Sequence, residues 1–325
     1  MKRSRIAILV ALVGGVLLAS MVIDGPGAPV TVEIPAGATL PDVARILEDH
    51  GVVGNAGLFH LYVRARRADR SLKAGMYQLE TGSSMRSALR RITRGEVETV
   101  TLTIPEGFTI RQMAPRIAEI TGEPEPRILD SLTSTELARS LDVPGPDLEG
   151  YLFPDSYYFA EGVSVRTVAE AMVDRYRELW TPERRELLEA SERTEHETVT
   201  LASIIQAEAR VVEEMPRIAG VYHNRLEEGW LLQADPTVLY ALGGHRPRLL
   251  YAAIDSVEGD PYNTYAHPGL PPGPIGAPGA RAIDAALQPE DHDFMFFVAR
   301  PDGSHVFTRS LAEHNDAQDE ARERQ

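Results

Sequence analysis

Lys2, Arg3 and Arg5 are followed by an uncharged run of eighteen residues, Ile6 to Ile23, rich in Ile, Leu, Val and Ala. As a helix this run spans roughly 27 Å, about the thickness of a hydrocarbon core. The pattern predicts one membrane-spanning helix over 6–23, with a cytoplasmic tail over 1–5 and everything after Asp24 outside. The rival reading is a cleaved signal peptide, but its apolar region would be unusually long and no good small-x-small site precedes Asp24. No second apolar run is long enough to span.

After a linker over 24–30, an alternating stretch Thr31-Val-Glu-Ile-Pro-Ala-Gly-Ala-Thr-Leu40 is repeated seventy residues later as Thr101-Leu-Thr-Ile-Pro-Glu-Gly-Phe-Thr-Ile110. Each copy predicts a strand, a Pro-x-Gly turn and a Thr-capped amphipathic helix. The first helix carries Val43, Ile46 and Leu47, the second Met113, Ile117 and Ile120. Neither can bury its face alone, so the two copies are expected to pack in one small α+β module over 31–121. Gly122 to Pro146, rich in Pro and Glu, reads as a linker with one short helix inside.

From 147 onward the chain reads as a larger α+β domain. Glu178 to Glu197 is a charged, solvent-facing helical stretch. Thr198 to Val212 lacks Pro and Gly and places Leu201, Ile204, Ile205 and Glu208 at i, i+3, i+4 and i+7. A further helix runs from about Pro216 to Glu228, with Ile218, Val221, Tyr222 and Arg225 on one side, and closes at Gly229. Seven prolines between Pro261 and Pro289 predict a stiff, irregular loop. A hairpin is expected about Pro301-Asp-Gly303, then a last helix from Ser310.

Composition narrows the functions. Thirty-three Lys and Arg against 48 Asp and Glu give −15, which argues against nonspecific nucleic-acid binding. The absence of Cys excludes disulfides, thiolate metal sites and Cys nucleophiles. Nine Lys and Arg between His60 and Arg94, against Asp69 and Glu80, form a local basic excess. It reads either as a solvated helix face or as a face for anionic lipid or polymer.

The candidate chemistry centres on Glu208. Ile204 and Ile205 place it on a buried face, so its carboxyl must be paired or desolvated with its pKa raised. A carboxyl kept protonated near neutral pH is what glycosidic cleavage asks of its general acid. The competing reading pairs Glu208 with Arg210, Arg217 or Arg225. Glu213 and Glu214 fall off the stripe and read as surface residues. Gln233 and Asp235 are polar groups held beside apolar ones, and Tyr262, Asn263 and Tyr265 offer stacking and hydrogen bonding in the Pro-rich loop. His292, His305 and His314 match no ligand spacing, so neither metal nor cofactor is expected. Ser203 lies mid-helix without a Gly elbow.

Several of these segments resemble the MltG (YceG-like) endolytic murein transglycosylases. They are Glu149-Gly-Tyr-Leu-Phe-Pro-Asp-Ser-Tyr157, Leu201 to Glu208, Val221-Tyr-His-Asn-Arg-Leu226, Leu232 to Val238, Tyr262 to Tyr265, Gly269 to Ile275, Gly303 to Phe307 and Glu313-His-Asn315. The resemblance implies a catalytic domain over 147–325, a LysM-like module before it, and a single-pass protein of the bacterial cytoplasmic membrane acting on the outer side. It implies internal cutting of peptidoglycan strands to leave 1,6-anhydro-muramyl ends, limiting strand length, with the catalytic Glu at Glu208. Many members carry Glu where this chain has Gln206. Gln233, Asp235, Tyr262, Asn263 and Tyr265 would position the sugar. Peptidoglycan synthases or division proteins are the partners it suggests. The alternatives are an inverting hydrolase with Asp235 as base, or a non-catalytic peptidoglycan-binding scaffold.

Overall fold

The computed structural model describes residues 27–35, 37–95, 99–244 and 249–323. The expected tail over 1–5 and span over 6–23 lie outside the described residues. Among the described residues no helix is long and apolar enough to cross a membrane. The architecture is α+β, with helices predominating and strands paired in two-stranded ribbons. The chain divides into two compact units. The first ends at Thr101 and takes in Tyr158–Gly162; the second holds Leu102–Tyr157 and Val163–Gln325.

In the first unit β1 (Pro29–Ile34) pairs antiparallel with β2 (Gly75–Glu80), from Pro29 opposite Glu80 to Ile34 opposite Gly75. Alternation along β1 buries Val32 and Ile34. Helices α1 (Leu40–Asp49), α2 (Ala56–Ala65) and α3 (Met85–Arg94) supply Val43, Leu47, Phe59, Val63, Leu89 and Ile92 to the same core. Tyr77 is fully buried there, its hydroxyl donating to the carbonyls of Lys73 (2.8 Å) and Ile92 (3.3 Å). The basic residues of this unit are mostly exposed, though Arg91 donates to the carbonyl of Gln78.

β3 (Thr99–Thr103) pairs with β4 (Ser156–Ala160), and the division between units falls within both strands. The second copy of the repeat therefore parts from the first. Its helix α4 (Ile110–Thr121) belongs to the second unit and packs on α5 (Glu125–Leu132), not with α1 in one shared module. The segment expected as a linker over 122–146 is folded into this second core. It forms α5 and α6 (Thr135–Ser140) and buries Ile128, Leu132, Ala138 and Leu141. Pro124 and Pro126 sit at the start of α5, where a missing N–H costs nothing, and the apolar spacing after them carries the packing.

The charged stretch over 178–197 breaks into the end of α7 (Val165–Leu179), then α8 (Pro182–Ala190) and the first turn of α9 (Glu195–Glu208). Helix α9 is the centre of the second unit. Every residue from Thr198 to Ile205 is buried, so the helix is enclosed on all sides rather than along one stripe. Thr198, Thr200 and Ser203 satisfy their hydroxyls on the carbonyls of Thr194, His196 and Thr200 within the helix. α10 (Met215–Glu227) and α13 (Ala280–Leu287) pack against it; α13 was not foreseen in the Pro-rich segment. α11 (Asp235–Ala241) and α12 (Tyr251–Asp255) precede the irregular loop. The expected hairpin is β5 (Phe296–Ala299) with β6 (His305–Thr308), followed by α14 (Leu311–Glu323).

Candidate active site

Glu208 is the last residue of α9, because Ala209 turns extended (φ −75°, ψ 118°). The helix therefore stops four residues before the sequence pattern suggests, leaving the Glu208 side chain at a helix end rather than mid-face. It enters a cavity of about 360 Å³, lined also by Arg225, Gln233, Asp235, Tyr265, Phe296, Phe297, His305 and His314. Burial pushes the Glu208 carboxyl up to about 7. The Tyr222 hydroxyl, which donates to Oε1 at 2.8 Å, and the Arg225 charge oppose that rise, while the Asp235 charge adds to it.

The arginines that could have neutralised Glu208 are engaged or turned outward. Arg217 pairs with Glu290 at 2.9 Å. Buried Arg225 donates to the carbonyls of Met295 (2.8 Å) and Leu232, with its guanidinium over the Phe296 ring. Arg210 is exposed. A desolvated carboxyl that among the described residues has no salt bridge keeps its proton near neutral pH, the condition for donating it to a leaving group.

Thr264 fixes the wall opposite in sequence. Its carbonyl accepts from Gln233 N at 3.1 Å, and its hydroxyl accepts from Ala234 N at 3.0 Å and contacts the Thr237 hydroxyl at 2.9 Å. This holds Gln233 in the left-handed region (φ 49°), an unfavourable conformation for a residue with a side chain. Asp235 follows at the start of α11, where Tyr265 donates its hydroxyl to Oδ1 at 2.6 Å. Gln233, Asp235 and Tyr265 thus join Glu208 in one cavity.

Two expected residues go elsewhere. Asn263 is 1% exposed and spent on the loop itself, donating to the carbonyls of Ile254 and Val257 and accepting from Tyr265 N. Tyr262 packs tilted against Tyr240, ring centres 4.8 Å apart, and lines a second cavity of about 690 Å³ with Glu149 and Asp260. Glu149 is itself buried, with its carboxyl pushed up to about 8 chiefly by desolvation. Both its oxygens accept from Ile110 N, where α4 begins, and Oε2 accepts from the Tyr240 hydroxyl. The next residue, Gly150, has φ 84° and could carry no Cβ without striking Pro274. Gln206 accepts from Gly279 N at 3.0 Å and so ties α9 to the start of α13.

The sequence pattern gave no site role to Tyr222, Thr264, Glu214 or His305. Tyr222 and Arg225, three apart on the buried side of α10, carried a usable signal. Glu214, read as a surface residue, instead bonds His305, 91 residues away. Among the described residues no group of His, Asp and Glu could hold a metal ion.

A family model described as the YceG-like family matches residues 32–320. An endolytic murein transglycosylase of Bacillus subtilis is 33% identical over 309 residues, covering 89% of this chain and 84% of the relative. One from Streptococcus pneumoniae is 30% identical over 88% of this chain, which spans only 57% of that relative's length. The crystal structure of a yceG-like protein from Listeria monocytogenes superposes with a TM-score of 0.62 at 34% identity, covering 90% of this chain and 99% of that one. With its matching residues running through both units, the chain belongs to the YceG-like family.

Proposed function

We propose that this chain is a membrane-anchored lytic transglycosylase that cuts peptidoglycan strands internally between N-acetylmuramic acid and N-acetylglucosamine. The observation that carries the reading is Glu208, a carboxyl pushed up to about 7 in a cavity with Gln233, Asp235 and Tyr265 and without a tight cationic partner. The names of the relatives from B. subtilis and S. pneumoniae support the reaction class.

Protonated Glu208 gives its proton to the glycosidic oxygen as the bond from C1 of the muramic acid to that oxygen breaks. The C6 hydroxyl of the same sugar then attacks C1, and its proton passes to the Glu208 carboxylate. The acid is restored, an O6–C1 bond has replaced the one lost, and no water is consumed. A second carboxylate nucleophile is not required. In this reading the apolar run over 6–23 anchors the protein, the LysM-like module over 31–121 contacts glycan, and the exposed arginines between His60 and Arg94 face an anionic surface. Synthases or division proteins are the partners such a place at the membrane would bring near.

The test is incubation with purified peptidoglycan and mass spectrometry of the released ends. Ends lighter by one water, about 18 Da, are expected, since intramolecular attack replaces hydrolysis. Full-mass reducing ends would instead make Asp235 the base of an inverting hydrolase. Wall binding without products would leave a scaffold.

A further inference from the structure

We infer that His305, held in one orientation by Glu214, binds the glycan in the catalytic cavity, its Nε2 accepting a hydrogen bond from a sugar hydroxyl or acetamido N–H. The inference rests on the glycan-cutting reading above and adds a residue to it. His305 opens β6 and is 7% exposed. Glu214, just before α10, accepts the His305 backbone N–H on both carboxylate oxygens (3.2 and 3.1 Å), and its Oε2 lies 2.7 Å from Nδ1. A carboxylate only accepts, so Nδ1 must carry a proton. In the neutral ring that leaves Nε2 as the acceptor, and the tautomer is set by the protein rather than by the ligand.

The plane of the ring is set as well. Phe297 meets it edge-on at 5.4 Å and 88°, and Phe307 lies at 6.1 Å on the same hairpin. Among the described residues Nε2 has no hydrogen-bond partner, while His305 lines the same cavity as Glu208. His305 is more than nine-tenths buried, so the donors that reach Nε2 are those that enter the cavity, water or the hydroxyl and acetamido groups of a bound glycan. Hydroxyls and acetamido groups are the donors an amino-sugar polymer offers. β6 thus brings to Glu208 a contact that neither α9 nor the Tyr265 loop supplies.

A purely structural clamp between Glu214 and β6 is the competing account, and conservative variants separate the two. H305F keeps an aromatic ring between Phe297 and Phe307 but has no nitrogen. H305Q puts an amide oxygen near the place of Nε2. The Kd of a tetrasaccharide of two GlcNAc–MurNAc units is measured by calorimetry on the full chain carrying E208Q, and KM and kcat for peptidoglycan on the chain with Glu208 intact. H305F is expected to weaken both Kd and KM about ten-fold, the worth of one buried hydrogen bond, with kcat changed by less than about three-fold. H305Q should recover most of the loss. E214A should weaken binding in the same direction as H305F. Equal Kd for E208Q with and without H305F would overturn the inference, as would equal losses in H305F and H305Q that simply follow their melting temperatures. Failure of the catalytic reading looks different: E208Q would still release anhydro ends, whatever the tetrasaccharide does.

Discussion

Glu208 and Glu149 are two carboxyls raised by the same cause, yet they occupy opposite situations. Both are driven up by desolvation, to about 7 and about 8. Glu149 is stitched into the fold: its oxygens receive the first amide of α4 and the Tyr240 hydroxyl, and Gly150 lets the chain pass Pro274. Glu208 stands at the C-terminal end of α9, where no amides remain to be capped, and among the described residues receives the Tyr222 hydroxyl alone. A raised pKa alone therefore does not mark the catalyst. What distinguishes Glu208, the proposed acid, is that among the described residues its oxygens cap no backbone amide, whereas those of Glu149 hold the start of α4.

The largest effect that tests this contrast is on turnover. Glu208→Gln should cut the release of anhydro ends by at least about 10³-fold, within the range removed with a general acid. Glu149→Gln should stay within about ten-fold, since an amide can still accept from Ile110 N and bond Tyr240. Equal losses from both, at unchanged melting temperature, would erase the distinction.

Stability against pH sharpens it. The folded pKa of Glu208 lies above the ordinary carboxyl value near 4.5, so the folded state holds this proton the more tightly. The stability linked to that proton is complete below about pH 4.5 and is lost as pH rises through 7. Urea unfolding at pH 5 and pH 8 should find E208Q more stable than the native chain at pH 8, by up to about 3 kcal/mol, with the gap nearly closed at pH 5. Glu149→Ala should move stability the other way, costing about 1–3 kcal/mol by stripping the α4 amide and Tyr240 of their acceptor.

The smallest effects are displacements of the pH–rate profile. Tyr222→Phe removes the bond that lowers the Glu208 pKa, so the alkaline limb should move to higher pH. Asp235→Asn removes a charge that raises it, so the limb should move to lower pH, and by less, while the ends released stay anhydro. Asp235→Asn that stops turnover altogether would point to water activation instead.

Where local chemistry dictates structure, the sequence was legible. Pro216 and Gly229 bracket α10 to within a residue at each end, and Pro301-Asp-Gly303 marks the hairpin. The desolvation of Glu208 was legible from its spacing with Ile204 and Ile205. The end of α9 was not, because Ala209 to Val212 contain neither Pro nor Gly and tertiary packing ends the helix there. In 122–146 the prolines give the composition of a linker, while Ile128 and Leu132, four apart on one helical face and fully buried, make the segment part of the core. The parting of the two repeat copies, and the Glu214–His305 pair, depend on contacts between distant parts of the chain, to which local periodicity is blind.

The abrupt end of α9 has a consequence for the return half of the cycle. The peptide dipoles of a fourteen-residue helix leave partial negative charge at its C-terminus, where the Glu208 carboxyl sits. Once the proton has gone to the leaving sugar, the new carboxylate faces the end of the helix least tolerant of it. Recapture of a proton is then downhill, and in the proposed reaction the muramic C6 hydroxyl supplies it. The helix end would thus discourage the enzyme from resting in its ionised form and speed ring closure over the slower arrival of water.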